Sequence, residues 1–478
     1  MLTGGFMSLK VINLDTPTLG DRSYIAHDGK TAVVIDPQRD IDRVQDLLKR
    51  EDVELGAVVE THMHNDYVSG GLVLAREHGV PYVVSEKDPV SFERFSIAHQ
   101  QVVPVGSFAI QALHTPGHTY THMSYALLNS DQQTQGVFTG GSMLHGSTGR
   151  PDLLGPEHSR ELAGLQHGSA YRLAELLAGS VDIYPTHGFG SFCAATATSG
   201  DCSTIADEKK SNPALLLEKE AYIVQTLAGL DAFPAYYKYM GPANQAGAGP
   251  IDLSHLSRMT TKEILRAIKS GSWVVDLRNR NSWTAGHVQG TLSFGSDGSM
   301  ATYLGWIFPY EKELILISDS AADISTAQRE LVRIGIDRPA SSYLGKIADF
   351  KNLVSNKSVN FADIPAVIGD PDITILDVRR NGEREASHIV PSIHIPLHEL
   401  DTRINELPTG GEIWVHCGGA YRAAAALGLI EKSGRTPVLI NEPYSAALEV
   451  TGLNIVTGHM DAGPMAQIEV PKDLKAKR

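Results

Sequence analysis

Short apolar runs punctuated by turn residues open the chain. Ser-Tyr-Ile-Ala at 23–26, Asp-Gly-Lys at 28–30 and Thr-Ala-Val-Val-Ile at 31–35 predict a β-hairpin. Apolar positions at a helical period over 41–49 predict a helix, and Gly-Ala-Val-Val at 56–59 predicts a buried strand. Strand and helix are expected to alternate from there to about residue 190, and residues 215–230 read as an amphipathic helix. The aromatic stretch at 233–240 is expected to pack between domains, and the Gly/Pro-rich residues 241–250 predict a linker. A stiffer connection is expected near 352–363. Between these connections and the end of the chain the pattern repeats. Val-Val-Asp-Leu-Arg at 274–278 matches Ile-Leu-Asp-Val-Arg at 375–379, and the spacing from Asp276 to His287 equals that from Asp377 to His388. In each copy the aspartate is expected to be buried and to accept local backbone hydrogen bonds, which makes it a fold marker.

The chain has 478 residues, too many for one core, and suggests roughly three domains. The pattern divides them at 8–245 (with a helical extension), 256–352 and 360–465. Hydrophobic content of 42% with 20% charged residues fits a globular protein. A net charge of -14 excludes nucleic acid and anionic membrane as expected partners, so the short basic end at 472–478 reads as a solvated tail. The first ten residues lack the basic start and apolar centre of a signal peptide, and no apolar run is long enough to span a membrane. Three cysteines, Cys193, Cys202 and Cys417, cannot all pair and have no CxxC spacing. A cytoplasmic, reducing location is expected. A homo-oligomer is compatible with this chain.

The strongest chemical signal is Glu-Ile-Trp-Val-His-Cys-Gly-Gly-Ala-Tyr-Arg-Ala-Ala at 412–424. A β-rich run ends in Cys417, a six-residue loop is expected, and an Ala-rich helix follows. Strand, loop and helix start turn backbone N–H groups and the positive helix end toward the sulfur, a placement that favours its nucleophilic anion. Gly418 and Gly419 clear space beside it. A buried structural cysteine would be flanked by bulky apolar residues instead. This stretch resembles the active-site loop of rhodanese-type sulfurtransferases, and Ile-Leu-Asp-Val-Arg-Arg at 375–380 and Ser-His-Ile-Val-Pro-Ser-Ile-His-Ile-Pro at 387–396 resemble the family's other signatures. The resemblance implies a persulfide on Cys417, with Arg422 assisting and with Gly418, Gly419, Ala420 and Tyr421 around the substrate. Anchoring Glu313 on Glu412 puts Ser318 in the place of Cys417 and Asp323 in the place of Arg422. A hydroxyl cannot carry a persulfide and a carboxylate does not stabilise a sulfur anion, so the first copy is expected to be silent.

A second signal lies upstream. His62 and His64 are two apart in Thr-His-Met-His-Asn-Asp-Tyr at 61–67, with Asp66 at the next alternate position. His118 follows a turn, and His187 follows Tyr-Pro-Thr. One histidine is usually a core residue, but several at strand ends beside turns point to a metal site. Over roughly residues 11–200 this part resembles the metallo-β-lactamase fold, and within it persulfide dioxygenases and hydroxyacylglutathione hydrolases. The resemblance implies an αββα sandwich and a site drawn from His62, His64, His118, Asp66 and His187. It also implies a substrate-binding Arg150 in Gly-Arg-Pro-Asp-Leu at 149–153.

Two departures matter. Tyr67 stands where the family has a histidine for a second metal, and Gly141 stands where Phe-Thr-Gly-Asp would supply a carboxylate. The first suits one divalent metal, Fe(II) or Zn(II), and the second weakens selectivity for iron. The order of domains resembles persulfide dioxygenase–sulfurtransferase fusions. It implies oxidation of a glutathione, CoA or other small-thiol persulfide, coupled to sulfur transfer involving thiosulfate or sulfite. A metal-dependent thioester hydrolase fused to a sulfurtransferase, and a non-catalytic N-terminal binding domain beside an active Cys417, are the alternatives.

Overall fold

The computed structural model describes residues 9–198 and 200–458. The start of the first expected domain, the last residues of the third and the basic stretch at 472–478 lie outside the described residues. The chain divides near residue 251 into two compact units. Among the described residues, no helix is long and apolar enough to cross a membrane.

The first unit contains two facing sheets. In the first, Lys10–Thr16, Asp21–His27, Thr31–Ile35, Glu54–Val59, Tyr82–Ser85 and Phe95–Ile97 lie side by side in chain order. The hairpin expected at 23–35 is present, with Ile25 opposite Val34. The second sheet runs Asp182–Pro185, Thr134–Gly140, Met123–Leu128, Phe108–His114 and Val102–Val105. Period-2 alternation buries Tyr24, Val33, Ile35 and Val59 against Ile110, Tyr125, Leu127 and Phe138 of the other sheet. The opposite faces are covered by helices. Asp42–Glu51 and Gly71–His78 place Val44, Leu47 and Leu74 over Val34 and Val58. Pro156–Leu176 and Lys219–Ala228 place Ala170, Leu173 and Tyr222 over Ala126 and Val137. The layers are αββα.

Several local expectations are corrected. Helix and strand do not alternate to residue 190: six strands from Tyr82–Ser85 to Thr134–Gly140 follow one another without a helix. The last four of these are antiparallel neighbours, and antiparallel strands need only short turns. The helix expected at 215–230 is split into Pro213–Leu216 and Lys219–Ala228, because Leu217 is extended and Asn212 caps a separate short turn. The linker expected at 241–250 is half helix, Tyr237–Ala246, despite Pro242 inside it. Tertiary hydrogen bonds override that proline. Asn244 Nδ2 donates to the carbonyls of His64 and Tyr67, at 2.8 Å each, and Asn244 Oδ1 accepts from Ser69 N at 2.8 Å.

The second unit holds two parallel sheets that repeat one plan. Trp273–Asp276 lies between Leu292–Ser293 and Leu314–Ser318, with Ser341–Leu344 beyond. Ile373–Asp377 lies between Ile393–His394 and Glu412–His416, with Thr436–Ile440 and Lys357–Val359 beyond. The stiff connection expected at 352–363 is therefore partly strand, and residues 361–366 form a 3-10 turn. The paired aspartates act as expected. Asp276 accepts from Arg278 N at 3.1 Å and Asp377 from Arg379 N at 3.0 Å, and each arginine side chain also clamps its own aspartate.

Asn244 is buried and its amide joins the helix to the loop that carries His64. Asn244→Ala leaves that loop's N–H and carbonyl groups unpaired and should cost about 2–4 kcal/mol, read from urea unfolding curves of the full chain. A loss under about 0.5 kcal/mol would contradict this account.

Candidate functional site

Every histidine implicated by sequence in the first unit sits at the C-terminal edge of a strand or in the turn after it. His62 and His64 follow Glu54–Val59, His118 follows Phe108–His114, and His187 follows Asp182–Pro185. All four, with Asp66, are at most 1% exposed. His62 is 4.1 Å from His64, 4.8 Å from His118 and 5.2 Å from His187 between ring centroids. The Nε2 atoms of His62 and His187 are 3.3 Å apart. That separation matches the edge of a tetrahedron with metal–nitrogen bonds of about 2.0–2.1 Å.

Several buried polar atoms aimed into this cluster lack a hydrogen-bond partner: His64 Nδ1, His118 Nε2 and Asp66 Oδ1. Leaving such atoms unpaired is costly unless a ligand completes them. Burial and the surrounding imidazoles push His62 well below the ordinary histidine value, and burial followed by His187 takes His118 down to about 3. Both are therefore neutral, the form that donates a lone pair to a metal. For His187 burial opposes the charge, but Asp66 and Asp21 raise it to about 9. The donor set fits a divalent metal.

The partners of each ring fix its orientation. His62 Nδ1 faces Thr61 Oγ1 at 2.9 Å, His118 Nδ1 donates to the Arg150 carbonyl at 2.8 Å, and His187 Nδ1 faces Asp21 Oδ1 and Asp66 Oδ2, each at 3.0 Å. His64 turns Nε2 toward Asp36 at 3.3 Å, Glu60 at 3.2 Å and the Tyr67 hydroxyl at 3.0 Å, which leaves Nδ1 for the centre. His187 is shared by two donor groups: His62, His64 and His187 offer donor atoms within 4.8 Å of one another, as do His118, His187 and Cys193.

Three further residues were missed. His122, buried, accepts from Gly141 N at 3.0 Å and pairs with Thr115 Oγ1 at 3.0 Å, so both ring nitrogens are used in support. Cys193 and Glu60 also lie here without a spacing rule that could have found them. Arg150 behaves differently from expectation. Its guanidinium is taken up by Asp152 at 2.7 and 2.8 Å and by the carbonyls of Phe192 and Asp231. It reaches the centre through its backbone, not as a free cation for substrate.

Gly141 makes room for one ring of the cluster. A Cβ there would lie 2.3 Å from His118 Cδ2, and one on Gly149 would lie 2.7 Å from His118 Nδ1. The His118 ring occupies the slot between the two glycines.

In the second unit Cys417 is 1% exposed at the end of Glu412–His416. The loop is shorter than the six residues expected: the helix Tyr421–Lys432 begins directly after Ala420, which adopts φ 66. This left-handed turn lets Ala423 N donate to Cys417 Sγ at 3.4 Å. A Cβ on Gly419 would meet nothing within 4 Å, so space is open there, whereas Gly418 lies against Arg422 and Glu383. Arg422 forms a bidentate pair with Glu383, at 2.6 Å for both contacts. Glu383, unsuspected from sequence, stands in the short helix Asn381–Ala386. Tyr421 turns to the first copy, its hydroxyl donating to the Gly295 carbonyl at 2.8 Å. In that copy Ser318 Oγ bonds to Asp323 at 3.2 Å, closing the equivalent position on itself.

The sheet sandwich with histidines at one edge is that of the metallo-β-lactamase fold, and a cysteine between a parallel strand and a helix start is that of a rhodanese-like domain. Comparison with known proteins agrees. Residues 362–445 match the rhodanese-like domain family. A crystal structure of a metallo-beta-lactamase from Staphylococcus aureus subsp. aureus COL aligns with TM-score 0.64 and 25% identity, covering 71% of this chain and 100% of that one. Hydroxyacylglutathione hydrolase GloC of Haemophilus influenzae is 26% identical over 40% of this chain and 91% of its own length. Human persulfide dioxygenase ETHE1, mitochondrial, is 28% identical over 44% of this chain and 74% of its own length. The first unit has the metallo-β-lactamase fold, a rhodanese-like domain lies C-terminal to it, and the chain stands among enzymes.

Gly141→Asp should push His118 out of its slot, and metal bound per chain, measured by elemental analysis, should fall by half or more. A rise in metal content would overturn the slot reading. Glu383 supplies a second test. Burial opposes its charge, but Arg422 and then Arg380 hold its carboxyl well below the ordinary 4.5. A depressed folded value contributes stability present above the unfolded value and lost as pH falls through the folded one. Glu383→Gln should therefore cost about 3 kcal/mol at pH 7, and the gap to the native chain should shrink as pH drops below about 4.5. A gap independent of pH would refute the pairing.

Proposed function

We propose that this chain oxidises a small-thiol persulfide at the histidine cluster of its first unit and moves sulfane sulfur through Cys417 in its second. The observation that carries the first half is the set of buried, unpartnered donors, His64 Nδ1, His118 Nε2 and Asp66 Oδ1, converging beside His62 and His187. Fe(II) held by these side chains would supply a redox-capable centre for the persulfide sulfur and dioxygen, whereas Zn(II), which has no redox chemistry, would suit only the hydrolytic alternative. Thr61, Arg150 through its carbonyl, and Asp21 hold the three imidazoles, and burial keeps bulk water out. The overall change balances as persulfide, dioxygen and water giving thiol, sulfite and two protons. The carrier thiol is of the glutathione or CoA class, in keeping with the hydroxyacylglutathione hydrolase and persulfide dioxygenase likenesses.

In the second half, Cys417 sulfur attacks the outer sulfur of a persulfide or thiosulfate. A new S–S bond forms, the donor's S–S bond breaks, and the thiol or sulfite leaves. Sulfite or a thiol then attacks that outer sulfur, and the Cys417 thiolate leaves without net redox change. The Ala423 N–H and the open side at Gly419 support this role, while Arg422, fixed by Glu383, lends positive charge. Within the second unit we divide residues 256–352, a silent copy with Ser318 and Asp323, from 360–465, the working one. Hydrolysis of a thioester is less well supported. Tyr67 directs its hydroxyl to the Asp36 carbonyl and His64, and Gly141 has no donor atom, so neither position contributes a ligand to a second metal.

Separate variants test the halves. His62→Ala should lose bound metal and oxygen uptake with glutathione persulfide, and keep transfer from thiosulfate. Cys417→Ser should do the reverse, whereas Cys202→Ser should keep both. Oxygen uptake undiminished in His62→Ala, or transfer persisting in Cys417→Ser, would sink the corresponding half.

A further inference from the structure

We infer that Cys193 is a metal ligand, its sulfur joining His118 and His187 in a Cys–His–His donor set on the side of the centre where Gly141 offers no carboxylate. The inference rests on the metal reading above and adds to it a sulfur donor. Cys193 Sγ lies within 4.8 Å of the donor atoms of both histidines, and all three residues are fully buried. His118 Nε2, aimed into this space, has no other partner.

The placement is built by the backbone. Arg150 N donates to the Cys193 carbonyl at 2.7 Å, while the Arg150 carbonyl accepts from His118 Nδ1 at 2.8 Å. One residue thus sets the thiol and the imidazole side by side. The Arg150 side chain adds a bond to the Phe192 carbonyl at 3.2 Å. Cys193 N donates to Ser191 Oγ at 3.2 Å, which fixes the turn that aims the sulfur inward.

A buried cysteine is most often an inert apolar filler. Here its surroundings are polar: Asp66, His118, His187 and the Tyr237 hydroxyl at 3.7 Å. Coordination forms a metal–sulfur bond and releases the thiol proton to solvent, with no change in oxidation state. Thiolate and imidazole are donors that iron(II), zinc and cobalt(II) all accept, so the sulfur can join the set without excluding the iron that the proposed oxidation needs.

Cobalt(II) reports the ligand directly. In the full chain carrying Cys202→Ser and Cys417→Ser, Cys193 is the only remaining thiol of the three. After chelation and anaerobic addition of cobalt(II), this protein should develop a near-ultraviolet thiolate-to-cobalt charge-transfer band that saturates at one cobalt per chain. Adding Cys193→Ser should abolish the band and weaken zinc binding at least about tenfold, while cobalt still binds through the histidines. Cobalt bound without the band in the single-thiol protein would overturn this inference and leave the metal reading standing. No cobalt bound at all would overturn both. Should Cys193→Ser fail to fold, the single-thiol protein decides alone, since no other thiolate is present.

Discussion

The buried carboxylate of Asp36 is the interaction on which the first unit depends. It ends the strand Thr31–Ile35 with φ 51 and is 0% exposed. It accepts from Thr61 N and Thr61 Oγ1, each at 2.7 Å, and from Thr186 Oγ1. Thr61 follows a strand of the first sheet and Thr186 a strand of the second, so one charge closes the sandwich where the histidines emerge. Burial opposes that charge, but His64 and these donors outweigh it and hold the carboxyl below its ordinary value. His64 answers by turning Nε2 to Asp36 and Nδ1 to the centre. Sandwich closure and donor orientation are a single electrostatic arrangement.

Much of this was legible in the sequence because it is local. Period-2 alternation at 23–35 and the helical period at 41–49 needed only neighbouring residues, and the spacing of His62 and His64 announced a shared face. The repeat at 274–278 and 375–379 announced two copies of one plan. The failures have a common physical origin in distant contacts. Helix survives around Pro242 because Asn244 is bonded to His64, Tyr67 and Ser69, far upstream. Cys193 joins His118 only through the Arg150 backbone, and Glu383 meets Arg422 across the domain. Arg150 misled for the complementary reason: its motif was visible, but the carbonyls that occupy its guanidinium were not.

The second unit separates scaffold from chemistry. Both copies keep the aspartate–arginine clamp and the histidine whose Nδ1 faces a helix carbonyl, at 2.9 Å for His287 and 3.0 Å for His388. They part at the loop, where one presents sulfur near a helix start and the other a serine bonded to an aspartate. The first copy packs against the second. His287 Nε2 meets Glu431 at 2.8 Å, and Gly428 sits against Thr291 and Leu292, so the helix that follows Cys417 rests on its neighbour. Whatever its own chemistry, the first copy serves as a support for the helix behind Cys417.

The slot between Gly141 and Gly149 makes position 141 intolerant of change. Any side chain there begins with a Cβ 2.3 Å from His118 Cδ2, before it could reach toward the centre. Accommodating it needs the ring, its hold on the Arg150 carbonyl and the close approach at Gly149 to yield together. The glycine is thus a keystone by virtue of what it omits: the donor set keeps its shape because this one position contributes nothing but room.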